Sequence, residues 1–240
     1  EMGEGRANRF NGQLGVDRLV LSIFRNRRHG FFVDLAANHA IKGSNTLALE
    51  YQGWEGICIE PQQMHISGLT HRKCKVVQAV VGARTGDAVE FASTVCPTDH
   101  DGVCAGVIGK LDNPERPANQ EVTSFRTVAF SKILDDLRAP RVIDYLSLDV
   151  EGSESDVLSD FPFEKYTILL LSVERPPEEL QDTLRSKGFR FLQHPGGKDH
   201  EYLYCHEQHP FFAQVLDAYS ATRGIKEPHM VRPRVVDASE

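Results

Sequence analysis

The sequence predicts an α/β fold: a mostly parallel sheet with helices on both faces, closed by a C-terminal antiparallel hairpin. Three observations predict it. Short apolar runs alternate with helical stretches from residue 30 to residue 187, and such alternation buries parallel strands between two helical layers. Four of those runs end at or beside an acid, namely Asp34, Glu60, Asp149 and Glu174. After Gly188 the alternation stops, and two strand-like runs follow each other across a Gly-Gly turn.

The elements read in order as follows. Residues 14–28 carry Leu14, Leu19, Leu21, Ile23 and Phe24 and predict an opening helix. The run 30–36 reads as a buried parallel strand. A helix is expected over 44–51, with Ser44 or Asn45 as its cap. A second strand, 56–60, stops at Pro61. A helix over 62–70 and a third strand over 75–81 follow. Strands at 89–91 and 122–128 flank a stretch rich in Gly, Pro and Asp. Ser131 is expected to cap a helix through Leu137. Residues 143–150 form a fourth strand, and 153–158 begin a helix with Glu154 and Asp156 in its first turn, where the helix dipole favours acids. A fifth strand covers 167–174. The helix over 176–187 has Pro at its start and Gly188 at its end. Residues 189–193 and 201–205 form the hairpin. Residues 1–29 are thus a helical extension, 30–208 the main domain and 209–240 a C-terminal helix and tail.

Bulk properties exclude some functions. The chain has 240 residues and a formal net charge of -7, which argues against nucleic acid as a partner, since a phosphate-backbone footprint needs surplus Lys and Arg. The basic cluster Arg25-Asn26-Arg27-Arg28 reads as a solvated face. No apolar run approaches the ~20 residues that span a bilayer. The start at Glu1-Met2 reads as a trimmed or engineered terminus, which leaves a removed targeting segment open; location is open too, with the cytoplasm as default. Five cysteines are too sparse for a disulfide framework. Cys58 and Cys205 read as small buried hydrophobes. Cys96 and Cys104 flank a loop with His100, where a pair or a metal site stays open beside the expected free thiols.

Open parallel sheets bind ligands beyond the carboxyl ends of their strands, where strand order reverses. Acids gathered on that rim cost desolvation and mark a functional cleft. Glu60 is placed to accept both hydroxyls of a nucleoside ribose. Asp34 sits under the first turn, with Asn38 and Asn45 as neutral donors and acceptors nearby. That turn runs Asp34-Leu-Ala-Ala-Asn-His-Ala-Ile-Lys-Gly43 and lacks the Gly-x-Gly-x-x-Gly that a pyrophosphate needs for close backbone approach. A nicotinamide-dependent oxidoreductase is therefore disfavoured. S-adenosylmethionine has no phosphate, so small Ala residues suffice.

The runs Phe32-Val-Asp-Leu-Ala-Ala-Asn, Ser44-Asn-Thr-Leu-Ala-Leu-Glu50, Trp54-Glu-Gly-Ile-Cys-Ile-Glu-Pro61, Asp144-Tyr-Leu-Ser-Leu-Asp-Val-Glu-Gly-Ser-Glu154 and Asp199-His-Glu-Tyr-Leu-Tyr204 resemble the FkbM-type methyltransferases over about residues 30–205. The resemblance implies a class I, Rossmann-like methyltransferase fold. It also implies S-adenosylmethionine as donor and O-methylation of a sugar, glycan or natural-product hydroxyl. Position by position, it places Asp34, Ala36 and Asn38 in the first cofactor loop. Glu60 falls at the ribose and Asp149 beside the methionine end. Ser44, Asn45, Pro61, Gln78 and Ala79 complete the expected lining. Ala36 and Ala40 stand where many members have Gly, which predicts a tighter first loop.

Methyl transfer to an alcohol requires the acceptor to be positioned and its proton removed. The candidate groups are Asp149, Glu151, Glu174 and His200, with His194 and His39 behind them. Asp149 and Glu174, with Glu151, would alternatively hold a divalent cation such as Mg²⁺. Residues 92–120 read either as a lid over the acceptor or as a surface insertion. The acceptor is expected to be a small molecule or glycan, and oligomeric state is left open. The non-enzymatic alternative is a catalytically silent binding module within a glycan-synthesis protein. Intact acids at Asp149 and Glu151 argue against it.

Overall fold

A computed structural model describes residues 10–93, 105–110, 121–192 and 201–222. The strands are β1 (Phe31–Leu35), β2 (Glu55–Ile59), β3 (Lys75–Val77), β4 (Val81–Gly82), β5 (Ala88–Ser93), β6 (Gly106–Val107), β7 (Glu121–Arg126), β8 (Val128–Ala129), β9 (Val142–Leu148), β10 (Thr167–Glu174), β11 (Phe189–Leu192) and β12 (Glu201–His206). The helices are α1 (Val16–Ile23), α2 (Leu47–Gln52), α3 (Gln63–Leu69), α4 (Phe130–Asp136), α5 (Glu154–Ser159), α6 (Glu178–Ser186) and α7 (Phe212–Thr222).

Seven strands form the central sheet in the order β11-β12-β10-β9-β1-β2-β3. Pairing is parallel from β10 to β3, while β12 runs antiparallel to both neighbours. Chain order reverses between β1 and β9, which makes their carboxyl ends the switch point. One face packs Ile133 and Leu134 of α4, Val157 and Leu158 of α5, and Leu180 and Leu184 of α6. The other packs Val20 of α1, Leu49 of α2, Leu69 of α3 and Val215 of α7. Helices on both faces explain why the strands read as continuous apolar runs.

The boundaries differ from the sequence reading where tertiary pairing intervenes. The opening helix ends at Ile23, because Arg25 and Asn26 take left-handed backbone conformations at φ 51 and 54. The third strand leaves the sheet at Val77, and Val81 pairs instead with Val128. The fourth ends at Leu148, so Asp149 lies in the turn beyond it. Ala129, not Ser131, caps α4, and its side chain offers no capping oxygen. Thr46, not Ser44 or Asn45, is the N-cap of α2, which begins at Leu47; Ser44 Oγ, just ahead of it, accepts the Thr46 and Leu47 N–H groups at 3.4 and 3.2 Å. The short strand β6 was not foreseen; it joins β5 and β7 in a side sheet.

Cys58 is not the lone buried hydrophobe that the sequence predicts. Cys58 and Cys74 form a disulfide, with their Cα atoms 5.8 Å apart. Cys58 pairs with Val76 in the β2–β3 register, so Cys74 arrives beside it just before β3. Cys205 is free and buried, as expected. Cys96, His100 and Cys104 lie outside the described residues.

Candidate functional site

The first loop is built by β1 and held by β2. Ala36 and Ala37 donate their N–H groups to the Ile59 carbonyl at 2.9 and 3.0 Å. The chain then turns through two left-handed residues, Ala36 at φ 64 and Asn38 at φ 49. Glu60 closes the loop. Its Oε2 accepts the Asn38 N–H and its Oε1 the Gln62 N–H, each at 2.8 Å. Burial pushes the Glu60 carboxyl up, against the pull of those two N–H groups. Each oxygen keeps a lone pair beyond its N–H partner, which suits a vicinal diol. Gln78 donates to the Pro61 carbonyl at 3.1 Å, so the two expected lining residues adjoin. Ala79 is buried in the core.

Asp34 has a different environment. Its Oδ2 accepts the Thr46 hydroxyl at 2.5 Å and lies 3.9 Å from Arg72. Arg72 also donates to Ser44 Oγ at 3.0 Å and Thr46 Oγ1 at 2.8 Å, and it pairs with Glu50 at 3.0 Å. The arginine and Glu50 side chains are each only 3% exposed. Burial raises the Asp34 carboxyl, and Arg72 opposes that shift. Asp34 and Ser44 therefore tie the loop to α2 through a buried ion network. Asn45 faces the switch point, donating to Ser147 Oγ on β9 at 3.2 Å.

The acids of β9 and β10 converge. Carboxylate oxygens of Asp149, Glu151 and Glu174 all lie within 4.8 Å of one another. Asp149 and Glu174 are in hydrogen-bond contact through their carboxyls. Burial pushes Asp149 well above the usual carboxylate range, and the Glu174 charge adds to the shift. Arg175 pairs with Glu174 from outside at 2.7 Å. A fourth acid joins from the hairpin: Glu201 faces Glu174 in the β10–β12 register and is only 7% exposed. Burial raises Glu201 to about 7, and its partner is Ser172. Ser172 in turn bonds the Tyr145 hydroxyl at 2.7 Å.

The structure thus brings Asp149, Glu151 and Glu174 together, and separately joins Asn38 to Glu60. His39 is spent on its own loop, where Nδ1 accepts the Ile41 and Lys42 N–H groups at 3.0 Å. His194 and His200 lie outside the described residues, as do 94–104 and 111–120 of the expected lid. The sequence reading missed Arg72, Glu50 and Glu201. Only Glu201 left a signal: pairing the hairpin with the fifth strand sets it against Glu174.

The arrangement fits S-adenosylmethionine on evidence from the protein itself. Asn45 Oδ1 and Asp149 Oδ1 are buried beside the switch point without hydrogen-bond partners among the described residues. Buried acceptors are normally satisfied, and the ammonium of an amino acid supplies the missing donors. The Glu60 carboxylate, held by two backbone N–H groups, has the acceptor chemistry that a ribose diol requires. The carboxylate trio also has oxygens close enough together to ligate one divalent ion. A second group, Glu50 with Cys58 and Cys74, is closed to metal because its sulfurs are bonded to each other.

Fold and site together define a Rossmann-like enzyme of the S-adenosylmethionine-dependent methyltransferase class. The sequence matches the Methyltransferase FkbM domain over residues 34–191, more than half of the chain; the protein belongs to the FkbM methyltransferase family. No curated protein sequence matches it significantly. Among solved structures it is similar to the METTL16 MTase domain (TM-score 0.47, 10% identity, 80% of this chain and 67% of that one). It is also similar to the N-terminal domain of human METTL16 (0.46, 12%, 80% and 67%). A third similar structure is precorrin-6y C5,15-methyltransferase from Geobacter metallireducens GS-15 (0.41, 9%, 83% and 91%). The chain spans about two thirds of the METTL16 domains. No helix among the described residues is long and apolar enough to cross a membrane.

Proposed function

We propose that this protein transfers a methyl group from S-adenosylmethionine to a hydroxyl of a sugar, glycan or hydroxylated natural product. The observation that carries this reading is the convergence of Asp149, Glu151 and Glu174 within 4.8 Å beside the switch point. When bound, the cofactor supplies an electrophilic methyl on a sulfonium centre. Glu60 would hold its ribose, and Asn45 with Asp149 its amino acid end. Ala36 and Asn38 shape the loop between them.

The protein's own task is then to orient the hydroxyl and take its proton. The Asp149–Glu174 pair does this: Glu174 accepts the proton on a carboxylate oxygen, and Asp149 shares it. Arg175 steadies the Glu174 charge from outside. A rim of four acids also suits a neutral polyol, since carboxylates accept hydrogen bonds from hydroxyls and repel phosphate. The same oxygens fit Mg²⁺.

Calorimetry with S-adenosylmethionine tests the cofactor, and absence of binding at millimolar concentration would sink the reading. A panel of sugars and glycosides, scored by the mass gain of one methyl group, tests the acceptor. Activity that survives chelation supports proton transfer by carboxylate alone; activity lost to chelation and restored by Mg²⁺ reassigns Asp149 and Glu174 to metal holding.

A further inference from the structure

The turn that carries Asp149 and Glu151 is bent against its own preferences. Glu151 sits at φ 53 and Gly152 at φ 97, two successive left-handed residues. A non-glycine residue there brings its Cβ too close to the following carbonyl oxygen. Such strain persists only where surrounding structure imposes it. One end of the turn is tied to β1, where the Asp149 N–H meets the Leu35 carbonyl at 3.4 Å. The other end is tied by a single side-chain oxygen. Glu154 Oε1 accepts the Val150 N–H at 3.0 Å and the Gly152 N–H at 3.3 Å. Those two N–H groups flank Glu151 on either side. Glu154 is only 2% exposed, and it stands on α5, whose Val157 and Leu158 are packed into the core. It is therefore a rigid post, and the turn hangs from it.

Resting on the reading given above, we propose that Glu154 is a positioning residue for methyl transfer, clamping the 150–152 turn so that Glu151 stays with Asp149 and Glu174. It acts through the turn and touches no reacting atom. Its place in the first turn of α5 would also be explained by the helix dipole alone. The two roles differ in what they require. The dipole role needs the negative charge. The clamp needs an acceptor oxygen at the right reach, which an amide also has.

Three variants separate the roles. Glu154→Ala removes the clamp, Glu154→Gln keeps the acceptor without the charge, and Glu154→Asp keeps the charge but falls one methylene short. The first readout is amide hydrogen exchange at Val150 and Gly152, which needs no acceptor substrate. The clamp predicts exchange at least roughly tenfold faster in Glu154→Ala and Glu154→Asp, with Glu154→Gln close to the parent. Unchanged exchange in Glu154→Ala overturns the proposal, as does a Glu154→Gln variant as fast as Glu154→Ala. The second readout is affinity for S-adenosylmethionine by calorimetry, expected to change little in all three, because Asp149 keeps its own tie to Leu35 of β1 and Glu60 and Asn38 are held independently. The third is turnover with a glycoside found by the acceptor panel. There kcat should fall about 100-fold in Glu154→Ala with KM for the cofactor unmoved, the scale of a small misplacement at a reacting centre. Intact kcat in Glu154→Ala overturns the proposal alone. A parent protein that binds no cofactor overturns the functional reading instead. Should Glu154→Ala fail to fold, Glu154→Asp carries the same test.

Discussion

The carboxylate of Glu60 holds the backbone N–H of Asn38 at 2.8 Å, so the acid after the second strand shapes the loop after the first. On the proposed reading, cofactor recognition and loop geometry depend on this one side chain. Glu60→Gln should weaken S-adenosylmethionine binding by about 1.5–3 kcal/mol, the range for a hydrogen bond to a charged group. Calorimetry reads this directly. The thermal unfolding midpoint should fall as well, since the amide NH₂ replaces one of the two acceptor oxygens and leaves the Asn38 or Gln62 N–H without its partner.

Ala36 pays for its φ of 64. Ala36→Gly removes the Cβ that opposes this conformation, at the expense of a more flexible unfolded chain. The net effect should be stabilising by about 0.5–1 kcal/mol. That corresponds to a rise of a few degrees in Tm by calorimetric scan.

Arg72 joins Asp34, Ser44, Thr46 and Glu50 out of contact with solvent. Removing one partner of a buried pair strands the other's charge. Arg72→Ala should cost about 3–5 kcal/mol in urea unfolding. Cofactor binding should weaken as well, because the first loop is fastened to α2 through this network.

Glu201 should contribute a fall in stability with rising pH, against the opposite slope that the buried His65 and His209 supply. Burial raises Glu201 from its ordinary 4.5 to about 7. Its neutral form is thus favoured by folding, so its contribution is full below pH 4.5 and is lost as pH rises through about 7. Asp34, Glu60 and Asp149 shift in the same direction. Glu201→Gln should flatten this slope and be more stable than the parent above pH 7. Unfolding free energies measured from pH 4.5 to 8 check it; a slope unchanged by the substitution would refute the assignment.

The Cys58–Cys74 disulfide closes a loop with a sequence separation of 16. Replacing both cysteines by Ala should cost about 3 kcal/mol on loop-entropy grounds. Both thiols should resist alkylation in the denatured parent until a reductant is added. The disulfide pins the 70–74 turn that carries Arg72, so this change should also lower cofactor affinity.

The sequence by itself determined the layered α/β fold, the parallel strands, the closing hairpin and the rim of acids. Each follows from local pattern: apolar runs at strand length, helical periodicity between them, and an acid where a run stops. It also placed Asp34, Glu60, Asp149 and Glu174 on one rim, because strands of a parallel sheet share a carboxyl end. Tertiary structure decided the rest. Glu201 faces Glu174 only through antiparallel register, Arg72 reaches Asp34 only across a loop and a helix, and Cys74 meets Cys58 only once β3 lies beside β2. Beyond the hairpin that hints at Glu201, these pairings have no spacing to read, since each depends on which elements become neighbours. The chain's local chemistry chose the elements, and their packing chose which buried charges would meet.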